Sequence, residues 1–332
     1  MNILMIGGTQ FLGRHLVEAA LQAGHMLTLF NRGKTNPGLF AGVETIAGDR
    51  DSDLGKLAGR RWDVVIDTCG YIPRHVRTAA EALAERVEQY IFISTISVYS
   101  DTTLHDMDES GPLATLVDES VEEITGETYG GLKVLCERAA EGVMPGRVLH
   151  VRSGLIVGPH DPTDRFTYWP VRVAEGGEVL AAGNPDAPVQ FIDARDQAAW
   201  ILHMAAARKS GIYNLTGPAE RLTMRALLDA CRETAASDAT FTWADDEFLL
   251  EHEVAPYTDL PLWLPESYGG LQTIRVTRAL ADGLTCRPLA QTIRDTLDWN
   301  ATRPPATPEK PRRGITRARE AELLAAWKAK GT

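Results

Sequence analysis

The chain has 332 residues, a hydrophobic share of 44% and a formal net charge of −11; this length suffices for one large domain or two moderate ones, and the acidic balance argues against a nucleic-acid-binding surface spread over the chain. No apolar run reaches the roughly 20 residues that cross a bilayer, and no basic and apolar leader opens the sequence. Four dispersed cysteines without a Cys-x-x-Cys pair, and scattered histidines, predict a cytoplasmic protein with reduced thiols and no structural metal.

The chain begins with a strand–turn–helix–strand unit. Asn2 to Ile6 is a short apolar run, as expected of a strand buried on both faces, and His15 to Ala23 has the pattern of an amphipathic helix. Glycines between a strand and a helix permit a tight turn, and a helix N-terminus offers free N–H groups to a pyrophosphate. We therefore predict that the turn binds a dinucleotide through Gly7, Thr9, Gln10, Phe11, Leu12 and Gly13.

The second strand, Met26 to Phe30, ends in Asn31-Arg32-Gly33-Lys34. An NAD-binding unit usually places an acidic residue here, where it binds the ribose 2′-hydroxyl, and this chain has none. Arg32 and Lys34 could instead bind a 2′-phosphate. The sequence therefore favours NADP over NAD, with Asn31, Arg32 and Lys34 as contacts; the alternative is that both cations are solvated.

Further strands are expected at 43–46, 64–66, 91–95 and 148–157, with a helix at 76–86. Strands that alternate with helices predict an α/β fold with a doubly wound parallel sheet, whose ligands bind at the carboxyl ends of the strands. We predict a Rossmann domain over 1–160, to which 191–215 returns, and a smaller mixed substrate lobe over 161–300. A Pro/Arg-rich linker at 301–314 and a C-terminal helix at 315–332 complete the chain.

Tyr129-Gly130-Gly131-Leu132-Lys133 contains the one Tyr-x-x-x-Lys of the chain. On a helix, residues four apart emerge on the same face. A free tyrosine keeps its proton until about pH 10, and a neighbouring ammonium favours the phenolate. The spacing predicts that Lys133 lowers the pKa of Tyr129 enough for acid–base work; the alternative is a surface tyrosine near an unrelated lysine.

The segments before and after Tyr129 and Lys133 predict function less specifically. Residues 101–128 carry many carboxylates and no lysine or arginine, which predicts a solvated loop, or one that repels anionic substrates if it folds over the cleft. Arg165, Tyr168 and Arg172 are candidate cleft residues, and Tyr257 to Pro265 is either an apolar substrate wall or a contact within the lobe. The C-terminal helix packs on the body of the protein or on a second subunit of a homodimer.

Taken together, the motifs resemble the extended short-chain dehydrogenase/reductase family, most closely its atypical branch of epimerase-like proteins and chloroplast stem-loop RNA-binding relatives. The resemblance covers about the first 200 residues and preserves the order of the motifs. The matching elements are Gly7-x-x-Gln10-x-x-Gly13, Asp49 after the third strand, Ser94-Thr95-Ile96-Ser97-Val98-Tyr99, Tyr129-x-x-x-Lys133, Arg152-x-Gly154-x-x-x-Gly158-Pro159, and Phe191-Ile192-Asp193 with Asp196.

The resemblance implies roles for individual residues. Tyr129 would be the catalytic acid/base, and Thr95 would hydrogen-bond the substrate oxygen. Lys133 would hold the nicotinamide ribose, Asp49 would contact the adenine, and Cys69-Gly70 would run along the cofactor. Low-specificity candidates for substrate contact are Tyr71, Ser97, Leu155, Arg165 and Tyr168.

Two departures from the family pattern bear on function. Gln10 replaces the middle glycine of the turn, and Leu155 stands where nucleotide-sugar enzymes often carry a diphosphate-binding asparagine. An apolar side chain cannot supply that amide, which argues against a UDP- or dTDP-sugar. We expect an NAD(P)-dependent oxidoreductase or epimerase acting on a small sugar-like or specialised metabolite. The alternatives are a nucleotide-sugar epimerase and a non-catalytic cofactor-binding regulator or RNA-associated protein.

Overall fold

The computed structural model describes residues 1–305 and 312–330. Its strands, β1 to β13 in chain order, are Asn2–Ile6, Met26–Asn31, Glu44–Ala47, Val64–Asp67, Gln89–Thr95, Val148–Ser153, Ile156–Val157, Glu178–Ala182, Pro188–Val189, Ile192–Asp193, Gly211–Leu215, Leu222–Thr223 and Thr240–Ala244. Its α-helices, α1 to α10, are Leu12–Gln22, Pro73–Leu83, Tyr129–Val143, Tyr168–Ala174, Ala194–Ala206, Met224–Ala235, Asp246–Glu251, Thr277–Ala281, Leu289–Ala301 and Arg317–Lys330. Short 3₁₀ helices cover Leu54–Leu57, Ile96–Val98 and Glu266–Gln272.

Seven parallel strands form the main sheet, in the order β3-β2-β1-β4-β5-β6-β11. Helices α1 and α5 pack on one face and α2 and α3 on the other, so β1 is buried from Ile3 to Ile6. This burial explains why the strand has a continuous apolar sequence rather than an alternating one. The prediction of a doubly wound parallel sheet is confirmed, and its carboxyl ends meet at one edge.

The prediction of one continuous strand over 148–157 is wrong, because the structure has two strands there, separated by Gly154 and Leu155. The first strand, β6, stays in the main sheet, whereas the second strand, β7, pairs with β10. A Cβ at Gly154 would be only 2.3 Å from Thr216 Oγ1, so the backbone passes closer to the end of β11 than a side chain would permit. The apolar sequence continues across this break, which is why hydrophobic pattern alone did not reveal it.

The C-terminal lobe has its own core, built from the parallel pair β8 and β13 and from α4, α6, α7, α9 and α10. Helix α10 packs on this body: Leu323 and Leu324 are buried in the lobe core, and Glu320 accepts hydrogen bonds from Arg172 Nε at 2.8 and 3.0 Å. The prediction that Arg172 belongs to the substrate cleft is therefore wrong, since its charge is used to hold α10. Residues 306–311 of the predicted linker and residues 331–332 lie outside the described residues.

No helix in the described part of the chain is both long and apolar enough to span a membrane.

Candidate active site

A cleft of about 970 Å³ opens along the carboxyl ends of the main-sheet strands and extends toward the C-terminal lobe. It brings together residues predicted from distant parts of the sequence. Those that line it are Gly7, Thr9, Gln10, Phe11, Leu12, Gly13, Asn31, Arg32, Lys34, Asp49, Cys69, Tyr71, Thr95, Ser97, Tyr129, Lys133, Leu155 and Arg165. Two of the predicted site residues, Gly70 and Tyr168, are not among the residues that line it.

The turn between β1 and α1 forms one end of the cleft. Gly7 has φ +105°, and a Cβ there would be 2.4 Å from Thr68 Oγ1, while a Cβ at Gly13 would be 2.9 Å from the Gly8 Cα. Only glycine permits these approaches. Within residues 1–305 and 312–330, the N–H groups of residues 9–12 have no hydrogen-bond acceptor. The turn therefore fits an anionic pyrophosphate despite Gln10 in the middle position.

The end of β2 presents two unpaired cations to the cleft. Asn31 is used internally, because its Nδ2 donates to the Gly7 carbonyl at 3.0 Å and its Oδ1 accepts from the Gly33 N–H at 2.9 Å. Arg32 and Lys34 are exposed, line the cleft, and have no ion-pair or hydrogen-bond partner in the described part of the chain. Their free charges fit a phosphate group at the ribose 2′ position.

Beside them, Arg50 and Asp67 form a buried ion pair that the sequence analysis missed. Arg50 Nη1 and Nη2 lie 2.9 and 2.8 Å from the two Asp67 carboxylate oxygens, and Tyr90 donates its hydroxyl to Asp67 at 2.7 Å. Burial opposes ionisation of Asp67, but Arg50 outweighs it and lowers the pKa of the carboxyl. Arg50 and Asp49 both line the cleft. The ion pair with Asp67 therefore holds the Arg50 side chain at the wall of the cleft.

Cys69 and Gly70 follow Asp67. Burial, assisted by Asp67, raises the pKa of the Cys69 thiol to about 11, so the thiol is neutral and not a nucleophile at neutral pH. A Cβ at Gly70 would be 2.7 Å from both Phe92 and Val76. The role of Gly70 is to place its carbonyl, which accepts a hydrogen bond from Lys133 Nζ at 2.8 Å.

Lys133 is buried and lines the cleft. Its ammonium also donates to the Ile93 carbonyl at 2.6 Å and lies 4.1 Å from the centre of the Phe92 ring. Desolvation by burial lowers its pKa to about 8. Two backbone carbonyls thus hold the Lys133 side chain in one position. No carboxylate is needed to orient its remaining N–H.

Tyr129 is the first residue of α3, Thr95 is the last residue of β5, and Ser97 lies in the 3₁₀ helix that follows β5. The Thr95 hydroxyl donates to Ser97 Oγ at 3.1 Å and accepts from the Ser97 N–H at 3.1 Å. Burial raises the pKa of Tyr129, and the Thr95 hydroxyl and the charge of Arg165 oppose that rise only in part. The expectation that Lys133 brings the pKa of Tyr129 below 10 is wrong here: Tyr129 is held as the neutral phenol.

The substrate side of the cleft is mostly apolar. Leu155, Leu264, Leu271 and Ile124 line it, and Ile124 is the one residue of the acidic loop that does so. The loop carboxylates are used elsewhere: those of Asp101, Asp108 and Asp118 accept from Thr103, Ser110 and Ser120, and that of Glu122 binds Arg74. Within the described residues, no carboxylate of this loop lines the cleft, so the loop does not cause the expected repulsion of anions there.

Polar contacts on this side come from Asp161, Thr163 and Arg165. Asp161 is fully buried and accepts from the Thr163 N–H and hydroxyl at 2.8 and 2.7 Å, and Arg165 Nε donates to Thr163 Oγ1 at 3.0 Å. Sequence reasoning named Arg165 but missed Asp161, which the run Asp161-Pro162-Thr163-Asp164-Arg165 could have suggested as a turn. Tyr257, at the wall predicted from its apolar segment, lies 5.8 Å from the Arg165 guanidinium.

Tyr168 was wrongly predicted as a substrate contact. It is buried in the core of the C-terminal lobe, with its ring edge-on to Trp169 at 4.9 Å, and a Cβ at Gly314 would strike the ring at 2.3 Å. An aromatic residue near a predicted cleft gives no information about which face of its helix is buried. Here α4 turns Tyr168 into the core, where packing explains it.

Comparison with known proteins gives a family match to the N-terminal part of the chain. The model of the NAD dependent epimerase/dehydratase family matches residues 3–216. That segment contains the seven strands of the main sheet, the Gly7–Gly13 turn, and Thr95, Tyr129 and Lys133.

Individual relatives are more distant. The chloroplast stem-loop binding protein of 41 kDa b from Arabidopsis thaliana is 28% identical over 253 residues, covering 69% of this chain but only 62% of that protein. The UDP-N-acetylglucosamine 4-epimerase from Bacillus cereus has a TM-score of 0.65 at 17% identity, covering 92% of this chain and 100% of that one. The UDP-Glc/GlcNAc 4-epimerase from Campylobacter jejuni has a TM-score of 0.67 at 15% identity, covering 91% and 99%. At these identities the structures show a shared fold.

Proposed function

The chain belongs to the NAD dependent epimerase/dehydratase family, and on that premise we propose that it is an NAD(P)-dependent oxidoreductase or epimerase of the extended short-chain dehydrogenase/reductase type. Its substrate is a small sugar-like or specialised metabolite that reacts at a carbonyl or carbinol carbon. The observation that carries the proposal is that Thr95, Tyr129 and Lys133 line the same cleft as the Gly7–Gly13 turn. A protein that only binds the cofactor would need the turn and Lys133, but not the hydroxyl groups of Tyr129 and Thr95 in the same cleft.

A bound nicotinamide cofactor would supply the hydride donor or acceptor. The turn N–H groups and Lys133 would hold it, and Tyr129 would exchange the coupled proton with the substrate oxygen. Because burial raises the pKa of Tyr129, its phenol carries the proton needed to donate to a carbonyl oxygen during reduction. The Thr95 hydroxyl would turn its proton from Ser97 Oγ to that oxygen, while the Ser97 N–H, which donates to Thr95 Oγ1, would hold the Thr95 oxygen in place.

NADP is the favoured cofactor within this proposal. Arg32 and Lys34 have free charges at the end of β2, and Asn31, which replaces the usual acidic residue, is occupied by Gly7 and Gly33. A 2′-phosphate is the group that two adjacent cations without partners would bind most strongly. NAD remains compatible with the turn, since the turn binds only the part that both cofactors share.

A nucleotide-sugar substrate is less well supported, although both epimerases compared above are named for UDP-sugars. The cations that line the described cleft are Arg32, Lys34, Arg50, Lys133 and Arg165. Of these, Arg165 alone lies on the substrate side, together with Leu155 in place of a diphosphate-binding amide. A single cation is poor compensation for a diphosphate.

The decisive experiment follows nicotinamide absorbance during turnover of a panel of carbonyl and carbinol compounds with NADPH or NADP⁺. The Tyr129→Phe variant should lose at least roughly 100-fold in kcat, the size of a typical general-acid contribution. Tyr268→Phe is the matched control, because Tyr268 is exposed and does not line the cleft. Undiminished turnover in Tyr129→Phe would refute the mechanism, and product analysis would separate net reduction from epimerisation.

A second candidate, a nucleic-acid-binding protein that uses the cofactor as a ligand, is favoured only by the name of the Arabidopsis relative. The net charge of −11 opposes it, because nucleic-acid affinity depends on neutralising phosphates with cations. The discriminating measurement is fluorescence anisotropy with an RNA stem-loop at physiological salt. Sub-micromolar binding, together with no turnover in the panel above, would favour this candidate.

A further inference from the structure

Arg165 lines the substrate side of the cleft, and only part of its guanidinium is used in hydrogen bonds within the described protein. Its Nε is used by Thr163, but neither terminal nitrogen has a hydrogen-bond acceptor or a carboxylate partner among residues 1–305 and 312–330. A planar guanidinium with free terminal N–H groups matches the geometry of a carboxylate, which it can bind with two parallel hydrogen bonds.

The Arg165 side chain is held in place by Thr163, which is itself bound to Asp161. Buried Asp161 accepts a hydrogen bond from the Thr163 hydroxyl at 2.7 Å, which leaves the lone pairs of that oxygen to accept from Arg165 Nε at 3.0 Å. The charge of Arg165 lowers the pKa of Asp161 against the larger effect of burial, but among the described residues the two side chains form no direct hydrogen bond. Thr163 therefore fixes Nε, and the centre of the Tyr257 ring lies 5.8 Å from the guanidinium carbon, while the two terminal nitrogens keep their N–H groups for a ligand.

Arg165 is also close to the proposed reaction centre. Tyr129 and Arg165 line the same cleft, and the charge of Arg165 lowers the pKa of Tyr129 against the larger effect of burial. The apolar side chains of Leu155, Leu264 and Leu271 line the same side of the cleft. An ion pair formed in such surroundings is screened less than one at the surface.

The charges of the cleft indicate the size of the anion. Arg32 and Lys34 lie at the cofactor end, Arg50 is paired with Asp67, and Lys133 is bound by two backbone carbonyls. On the substrate side, Arg165 has no ion-pair partner among the described residues, and the buried Asp161 carboxylate accepts hydrogen bonds from Thr163. Arg165 is suited to a single carboxylate and provides too little charge for a diphosphate.

We infer, on the basis of the proposed function, that the substrate is a hydroxy or keto acid whose carboxylate is bound by Arg165. Its apolar portion contacts Leu155, Leu264 and Leu271, and its reacting oxygen faces Tyr129 and Thr95.

The test compares acids with their amides. A panel of α-, β- and γ-oxo acids with aliphatic and aromatic chains, each paired with its primary amide, is titrated into the NADPH-bound protein by ligand-observed NMR. The variants are Arg165→Gln, Arg165→Lys and, as a matched control, Arg77→Gln; Arg77 is exposed on α2 and does not line the cleft. UDP-glucose and a hexose phosphate are included as phosphate probes.

We expect the native protein and Arg77→Gln to bind acids roughly 10- to 100-fold more tightly than the matching amides, the range of a charge-assisted hydrogen-bonded pair. Arg165→Gln should abolish this preference, and Arg165→Lys should retain only part of it. Equal affinity for acids and amides in the native protein, or a preference that survives in Arg165→Gln, would overturn the inference. Tighter, Arg165-dependent binding of a phosphate probe would overturn it as well.

The same preparations report separately on the proposed function. NADPH binding and Tyr129-dependent turnover that persist without an acid preference would contradict the carboxylate site alone. Loss of NADPH binding, or turnover that is unchanged in Tyr129→Phe, would contradict the proposed function itself.

Discussion

Gly130 lies directly against the backbone of Ser97: a Cβ added to Gly130 would be 2.2 Å from the Ser97 carbonyl oxygen. The contact joins the first turn of α3, which begins at Tyr129, to the turn in which Ser97 orients Thr95. The spacing between the proposed acid and the hydroxyl that binds the substrate oxygen therefore depends on a residue without a side chain. This explains a glycine at helix position two, where it costs helix propensity.

The Gly130→Ala substitution should separate Tyr129 from Thr95 while leaving the cofactor end of the cleft intact. A displacement of about 1 Å in a catalytic group can cost roughly 100-fold in rate. We expect kcat to fall by about that factor, with the NADPH dissociation constant changed less than about threefold. Steady-state kinetics and NADPH fluorescence titration measure the two quantities.

Gly142→Ala provides the control within the same helix. A Cβ at Gly142 would meet no atom within 4 Å, so alanine should be neutral or slightly stabilising there. Equal effects of the two substitutions on kcat would show that helix propensity, not the Ser97 contact, determines the result.

Arg32→Asp should weaken NADPH binding selectively. The substitution replaces a free cation at the end of β2 by a carboxylate, which repels a 2′-phosphate but can bind a 2′-hydroxyl. We expect the NADPH dissociation constant to rise roughly 10- to 100-fold, with that of NADH little changed. Arg77→Asp makes the same charge change away from the cleft and should leave both constants unaltered; an unchanged NADPH constant in Arg32→Asp would remove Arg32 from the cofactor site.

The sequence predicted most of the main sheet because most of its strands are buried apolar runs next to a turn or helix signal, whereas β3, at the edge, is largely exposed. It also predicted the glycine turn, Thr95 and Lys133 as cleft residues, since these follow from local spacing or family order. Helix starts were less accurate: α1 begins at Leu12 rather than His15 because the turn residues themselves form its first turn.

What the sequence could not predict depends on contacts between distant residues. The sequence analysis assigned no role to Arg50, because its partner Asp67 follows 17 residues later on β4. Tyr168 looked accessible, yet Gly314, far along the chain, closes over its ring. The pKa of Tyr129 depends on how deeply the phenol is buried, which spacing to Lys133 does not reveal.

Glu137→Ala should destabilise the protein strongly, because Arg152 would remain buried without its counter-charge. Arg152 Nε and Nη2 lie 3.0 and 2.8 Å from the two Glu137 carboxylate oxygens, and Ser94 donates to the same carboxylate at 2.6 Å. Removing one partner of a buried pair costs about 3–5 kcal/mol. Urea unfolding, analysed by linear extrapolation, measures the change.

The neighbouring residue of α3 is a matched control for this substitution. Arg138 forms only an exposed ion pair with Glu119, at 3.8 Å. Arg138→Ala should therefore change the free energy of unfolding by less than about 1 kcal/mol. A loss in Glu137→Ala no larger than that of Arg138→Ala would mean that Arg152 finds another partner or solvent.

Lys133 should make stability depend on alkaline pH in an unusual direction. Burial lowers its pKa to about 8, from 10.5 for an unperturbed lysine. Between these values the unfolded chain binds the proton and the folded protein does not, so stability rises with pH across this window. Relative to Lys133→Met, the free energy of unfolding of the native protein should be constant below about pH 7 and rise by about 3 kcal/mol between pH 8 and 10.5.

The measurement is urea unfolding of both proteins without cofactor, at intervals from neutral pH to pH 10.5, with the difference taken at each pH so that other titrations cancel. Lys56→Met, which removes a half-exposed lysine, is the control and should show no comparable rise. A difference that stays flat or falls across the window would show that the Gly70 and Ile93 carbonyls stabilise the ammonium more than burial destabilises it. In that case Lys133 would remain charged throughout the pH range in which the cleft is proposed to work.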